Sequence, residues 1–215
     1  MLPLPALPER SFFKMLGHQQ NTPDFYHTHA RKYFEQTRAI DSSRFLGVLA
    51  HRLPKGATVL DIGCGSGRDL LYLKNSGFCA TGLERSAKLA ELARKFSGCP
   101  VIEGDFTCYD FSSLRCDALV LVGALVHLQK PELGPVLGRI SQALEQDGLI
   151  YLSLKHGNGQ YRNDDGRIFT LWQHEELEKI FTGCGFVNLD FSRNRSAMNP
   201  HDTWLGYLLQ KQDTM

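Results

Sequence analysis

The chain has 215 residues, 42% of them hydrophobic and 22% charged, with 24 basic and 23 acidic side chains and a formal net charge of +1. That length suits one core, the composition excludes a disordered, collagen-like or coiled-coil chain, and the near-neutral balance provides no general attraction for nucleic acid or an anionic membrane. The longest apolar run, CDALVLVGALVHL, falls short of the roughly 20 residues a bilayer span needs, and the opening MLPLPALPER lacks the basic stretch of a secretory signal. A cytoplasmic protein is expected.

Residues 1–22, rich in Pro, Gln and polar side chains, read as a loosely held arm. In TPDFYHTHARKYFEQTR, Thr22 suits an N-cap and Pro23 the first helical position, with Phe25, Tyr26, Ala30, Tyr33 and Phe34 along one apolar stripe. A second helix is expected from about Ser42 to Leu53, ended by Pro54-Lys55-Gly56. Together they form a helical cap, about residues 23–54. Strand-like and helix-like segments then alternate. ATVLDI, FCATGLE, CPVIEGD, CDALVLVG and LIYLSLK predict five strands, and RDLLYLKNSG, SAKLAELARKF and PELGPVLGRISQALEQDG the helices between them, the last running from Pro131 to Gly148. Such alternation builds a parallel sheet covered on both faces. After the helix HEELEKIFTGCGF, the strands FVNLDFSRN and TWLGYLLQK are joined by residues 194–202 without a helix, so they are expected to pair antiparallel. No repeat or linker interrupts residues 23–215, which predicts a single domain. The six cysteines form no C-x-x-C pair and read as reduced thiols, with no metal site expected.

The informative stretch is VLDIGCGSGRDL, residues 59–70: a strand, a glycine turn and a helix, the first unit of a Rossmann-like nucleotide fold. The glycines, Gly63, Gly65 and Gly67, depart from the G-x-G-x-x-G spacing, and Asp61 stands just before them. A carboxylate a few Å from a diphosphate costs several kcal/mol at an effective dielectric of ~20, whereas a ligand with an ammonium and a sulfonium is favoured there. Glu84, closing the second strand, is placed to accept ribose hydroxyls; Asp105, closing the third, to accept from an adenine amino group, with Phe106 beside the ring.

Together VLDIGCGSGRD, GLERS, EGDF and CDALVLVGALVHL resemble the class I S-adenosylmethionine-dependent methyltransferases. The resemblance implies an open α/β sheet of order 3-2-1-4-5-7-6 with an antiparallel last strand, S-adenosyl-L-methionine as cofactor and S-adenosyl-L-homocysteine as product. It implies a backbone cradle from Gly63, Cys64 and Gly65 for the methionine moiety and a carboxylate partner in Arg68 or Tyr33. Asp61 would orient the amino group, Glu84 and Arg85 would meet the ribose side, and Ala124 and Leu125 the sulfur. FYHTHARKYF, GSGRD and GRIFT…HEEL are further similar to the small-molecule branch that includes tellurite- and thiopurine-type enzymes.

An in-line methyl transfer asks mainly for orientation in a dry pocket; a general base matters only for a hydroxyl or protonated amine acceptor. His127, just past the fourth strand, is either that base or a structural histidine. Lys155 and His156 can meet an anionic acceptor or simply be solvated, and Arg167, Arg193 and Arg195 with His201 and Trp204 can rim the acceptor or lie on a surface. Tyr26, Tyr33 and Phe34 are lid residues or core aromatics. Cys64 could be a thiolate in an electropositive turn, but catalysis by it is not expected. The expected partner is a small-molecule acceptor, without nucleic acid or membrane, for a monomer or homodimer. The alternatives are an RNA or protein methyltransferase, disfavoured by the absence of an Asn/Asp-Pro-Pro-aromatic motif, a nicotinamide oxidoreductase, disfavoured by Asp61, and a non-catalytic S-adenosylmethionine-binding protein.

Overall fold

The computed structural model describes residues 22–212. The expected arm, residues 1–22, therefore lies outside them save for Thr22, where the first helix begins.

Two short helices open the described chain, α1 (Thr22–Thr28) and α2 (Ala30–Thr37), where one was expected. The break falls at His29, whose ring stacks on Phe25 at 4.6 Å and donates from Nδ1 to the Phe25 carbonyl at 3.2 Å. Tyr26 and Tyr33, two turns apart, meet edge to face, 5.1 Å between centres. Helix α3 (Ser43–Ala50) follows. The β/α alternation then runs β1 (Thr58–Ile62), α4 (Arg68–Asn75), β2 (Cys79–Glu84), α5 (Ala87–Ser97), β3 (Val101–Glu103), β4 (Cys116–Val122), α6 (Lys130–Ile140) and β5 (Leu144–His156). After a short hairpin, β6 (Gln160–Arg162) and β7 (Ile168–Trp172), come α7 (His174–Gly183), β8 (Phe186–Arg195) and β9 (Thr203–Lys211).

The parallel core β3-β2-β1-β4-β5 is completed by β9, antiparallel to β5, with β8 antiparallel to β9 at the edge. In chain order this is 3-2-1-4-5-9-8, the expected arrangement once the β6–β7 hairpin is set aside. That hairpin was not foreseen. Lys155 pairs with Trp204 of β9 and also with Leu171 of β7, so β7 occupies the edge of β5 opposite β9, where β4 has already ended at the Val122–Ser153 pair.

Strand periodicity divides the core in two. On β4, Leu119 and Leu121 face the layer that holds Leu137 and Phe181, whereas Ala118 and Val120 face the layer that holds Leu46, Leu49, Leu70 and Leu73. Tyr207 and Leu208 of β9 split the same way. The helix expected to reach Gly148 stops at Ile140, and β5 starts at Leu144. Leu144 is buried and pairs with Cys116, so sheet and core outweigh the local helix preference of ALEQDG. No helix among the described residues is long and apolar enough to cross a membrane.

Candidate functional site at the carboxyl ends of the strands

The glycine turn joins β1 to α4 with Gly63, Gly65 and Gly67 at φ of 68°, 53° and 76°, a region that glycine enters without a Cβ penalty. Packing closes the positions as well. A Cβ on Gly63 would lie 2.9 Å from the Ala124 Cβ, one on Gly65 3.3 Å from the Tyr33 ring, and one on Gly67 3.0 Å from the Ala93 backbone.

Four of the turn's amides are engaged within the protein. Gly63 and Cys64 both donate to the Leu83 carbonyl at 2.8 and 3.1 Å, Gly65 donates to Glu84 Oε2 at 3.0 Å, and Gly67 donates to the Cys64 carbonyl at 2.9 Å. Of the backbone cradle expected from Gly63, Cys64 and Gly65, the N–H groups are thus engaged within the protein. β2 lies close enough to claim them first.

The three carboxylates sit at the ends of adjacent strands in three different environments. Asp61 is 1% exposed, and its Oδ2 has no hydrogen-bond partner. Burial pushes its carboxyl well above the usual range, reinforced by the Asp69 carboxylate and opposed by Arg68. Asp69 is held by the Ser42 hydroxyl and by Arg68 Nε at 3.2 Å. Arg68 also lies over the Phe45 ring, at 5.6 Å. Glu84 is buried and accepts from Gly65 and, through Oε1, from the Ser86 amide at 2.8 Å; burial raises its pKa and those amides oppose the rise. Asp105 is partly exposed and accepts from the Thr107 amide and hydroxyl at 2.9 and 2.7 Å, and from Arg85 at 3.1 Å; partial burial raises its pKa, but these donors together outweigh it and hold the carboxyl below the usual range. Phe106 is partly buried against the main core. Burial and the neighbouring Asp61 and Glu84 push the Cys64 thiol well up, the reverse of a stabilised thiolate.

Helices α1 and α2 lie across this end of the sheet. The Tyr26 carbonyl accepts from Ser86 Oγ at 3.3 Å, and the Tyr26 hydroxyl meets His127 Nε2 at 2.9 Å. Because His127 Nδ1 lies 2.6 Å from the Ile168 carbonyl, that nitrogen carries the proton, and Nε2 accepts from Tyr26. Arg167 Nη1 donates in turn to the Tyr26 oxygen at 3.3 Å. Burial, with Arg167, Arg85 and Lys155 nearby, lowers the His127 pKa to about 4. Both imidazole nitrogens are thus engaged.

Beyond Ala124, which packs on Gly63, the Leu125 side chain is fully buried in the core. Trp204 covers Gly123, 3.2 Å from a Cβ built there. Lys155 is 7% exposed and donates to Tyr161 and to Asp202, while Arg167 pairs with Asp165 and lies 4.3 Å from the Phe25 ring centre. Tyr26, Lys155, Arg167 and Trp204 therefore gather at one end, whereas Arg193, Arg195 and His201 are exposed and His156 is half-buried. Sequence reasoning missed Asp69, Ser42, Tyr161, Phe169 and Asp202. An Asn-Asp-Asp-Gly turn between QYR and RIFT was the available signal for the hairpin that brings in two of them. A cavity of about 390 Å³ between Arg52, Asp117, Glu145 and Gln210 lies at the opposite end of the sheet.

Strand order, glycine turn and acidic strand ends define a class of protein: this is the class I S-adenosylmethionine-dependent methyltransferase fold. Residues 59–148 match the family profile of a methyltransferase domain. Among curated proteins, a carboxy-S-adenosyl-L-methionine synthase of Campylobacter jejuni is 28% identical over 113 residues, 50% of this chain and 48% of that one. An uncharacterised methyltransferase of Oceanobacillus iheyensis is 28% identical over 93 residues, 43% of this chain and 44% of that one. The matches thus span about half the length of these relatives. A solved structure of Burkholderia thailandensis 1,6-didemethyltoxoflavin-N1-methyltransferase, with bound 1,6-didemethyltoxoflavin and S-adenosylhomocysteine, superposes with a TM-score of 0.71 at 22% identity, covering 99% of this chain and 94% of that one. A Methanosarcina mazei S-adenosylmethionine-dependent methyltransferase gives 0.71 at 18% identity, covering 78% and 98%.

Proposed function

We propose that the protein binds S-adenosylmethionine at the β1–α4 turn and transfers its methyl group to a small-molecule acceptor, leaving S-adenosylhomocysteine. The observation that carries this reading is Asp61, a buried carboxylate with an unpartnered oxygen beside a turn whose glycine amides are already donated inside the protein. An ammonium satisfies such an acceptor; a diphosphate meets a negative charge beside glycine amides already engaged. The likeness to methyltransferases with small-molecule acceptors in their names supports the second half of the reading.

When bound, S-adenosylmethionine supplies a methyl group activated on a sulfonium. The chain's residues bind and orient. Asp61 takes the amino group, Arg68 and Tyr33 flank the carboxylate, and Glu84 holds the turn while facing the ribose side with Arg85. Asp105 and Phe106 bound the adenine side, and Ala124 with the Leu125 backbone bounds the sulfur. Tyr26, Lys155, Arg167 and Trp204 wall the acceptor end.

His127 positions Tyr26 and does not receive the acceptor's proton, because holding a proton at pH 7 on a group titrating near 4 costs about 4 kcal/mol. Calorimetry tests the cofactor: adenosylhomocysteine binds and NADH does not, and the reverse order rejects the proposal. Incubating acceptor pools with methyl-labelled cofactor then shows by mass which small molecule gains the label; label appearing only in RNA or protein overturns the acceptor class.

A further inference from the structure

The Lys155 ammonium is buried at the end of β5, between Trp204 on one side and Leu171 on the other. Three aromatic rings surround it, with centres 4.2 Å (Phe169), 5.1 Å (Tyr161) and 5.6 Å (Trp204) from Nζ. Its counter-charge comes from elsewhere. Asp202 Oδ2 reaches Nζ at 2.6 Å from the loop between β8 and β9 and is itself partly exposed. Only two backbone hydrogen bonds fasten that residue within its loop, Ser196 N to the Asp202 carbonyl and Asp202 N to the Asn199 carbonyl, both 2.9 Å. The loop around it is open to solvent, with Met198 52% exposed. The cation is fixed by two strands while its partner is carried on a surface loop.

Trp204 links this cage to the proposed cofactor turn, since it covers Gly123, whose neighbour Ala124 packs on Gly63. From these contacts we infer that Lys155 and its rings form an anion subsite of the acceptor pocket, for a carboxylate borne on an aromatic ring, and that Asp202 occupies the carboxylate position until the acceptor displaces it. A cation with aromatic walls favours a planar anion over a neutral aromatic of the same shape. Asp165 and Arg167, two residues apart on one hairpin, lack this division between a strand-borne cation and a loop-borne anion.

The inference rests on the methyltransferase reading for its meaning, and its test is separate from that reading. Benzoate serves as probe and benzamide as its neutral counterpart, titrated by calorimetry into the full chain, with adenosylhomocysteine titrated into the same samples. Benzoate is expected to bind and benzamide not. Asp202→Asn tightens benzoate about tenfold by removing the competing carboxylate, and Lys155→Met abolishes benzoate binding while leaving adenosylhomocysteine affinity unchanged. If Asp202→Asn fails to fold, Lys155→Met and the double variant Lys155→Met/Asp202→Asn, which leaves neither charge of this pair, still decide the matter against wild type. Benzoate binding equally to wild type and Lys155→Met, or no better than benzamide, overturns the subsite. Failure of adenosylhomocysteine alone overturns the cofactor reading and leaves the subsite standing.

Discussion

Replacing Asp61 by Asn is expected to stabilise the free protein and weaken its ligand, two effects of opposite sign from one near-isosteric change. The carboxylate is 1% exposed with one oxygen unpartnered, and its pKa in the folded chain lies above the unfolded value of about 3.9. A carboxyl raised in this way contributes its stability fully below the unfolded pKa and loses it as pH rises through the folded one. An amide does not titrate, so the variant keeps what the wild type loses. The cost of a buried unsatisfied acceptor, about 1–3 kcal/mol and more when charged, sets the expected gain at pH 8. For a chain of this length each kcal/mol moves Tm by about 2–4 °C. At pH 4 the gain shrinks toward zero. Adenosylhomocysteine, deprived of a charge-assisted bond worth about 1.5–3 kcal/mol, binds the variant roughly 10- to 150-fold more weakly. Thermal melts at the two pH values and calorimetry read both effects. A variant less stable than wild type at pH 8, or equally stabilised at both, would show that burial does not strain this carboxyl, and unchanged affinity would remove it from the binding site.

Two further outcomes follow from the geometry. With His127 titrating near 4, the kcat profile of the wild type should show no inflection from it between pH 6 and 8; an inflection there that disappears in His127→Gln would restore it as the base. Gly67→Ala should cost more stability than Gly65→Ala, above the roughly 1 kcal/mol of a strained φ, because the new methyl meets the Ala93 backbone at 3.0 Å rather than the movable Tyr33 ring at 3.3 Å. Denaturant melts rank the two, and the opposite order contradicts the packing.

The β1–α4–β2–α5 stretch was legible because its signals are local: an apolar run, three glycines at alternate positions, and Ser86 as the N-cap of α5, which accepts from Leu89 N in the structure. The acidic residues at the ends of β1, β2 and loop 105 were legible for the same reason. What those groups bond to was not. Whether Gly65 offers its amide outward depends on where Glu84 points, 19 residues away, and whether Lys155 is solvated depends on Asp202, 47 residues on. The segment ALEQDG misled because its preference is helical while its leucine belongs to the core across from Cys116. Asp105 reads as open to a base in the sequence, yet Thr107, two residues later, folds back to fill one of its oxygens.

Tyr26 fastens α1 to three places that the ribosome makes much later: Ser86, His127 and Arg167, which follow it by 60, 101 and 141 residues. Those anchors follow β2 and β4 and precede β7, so α1 and α2 can rest on α5 early while the two side-chain anchors of the Tyr26 hydroxyl come later. The Tyr26 hydroxyl network over the crevice is thus completed only after Arg167 has emerged, well after the helices that it covers.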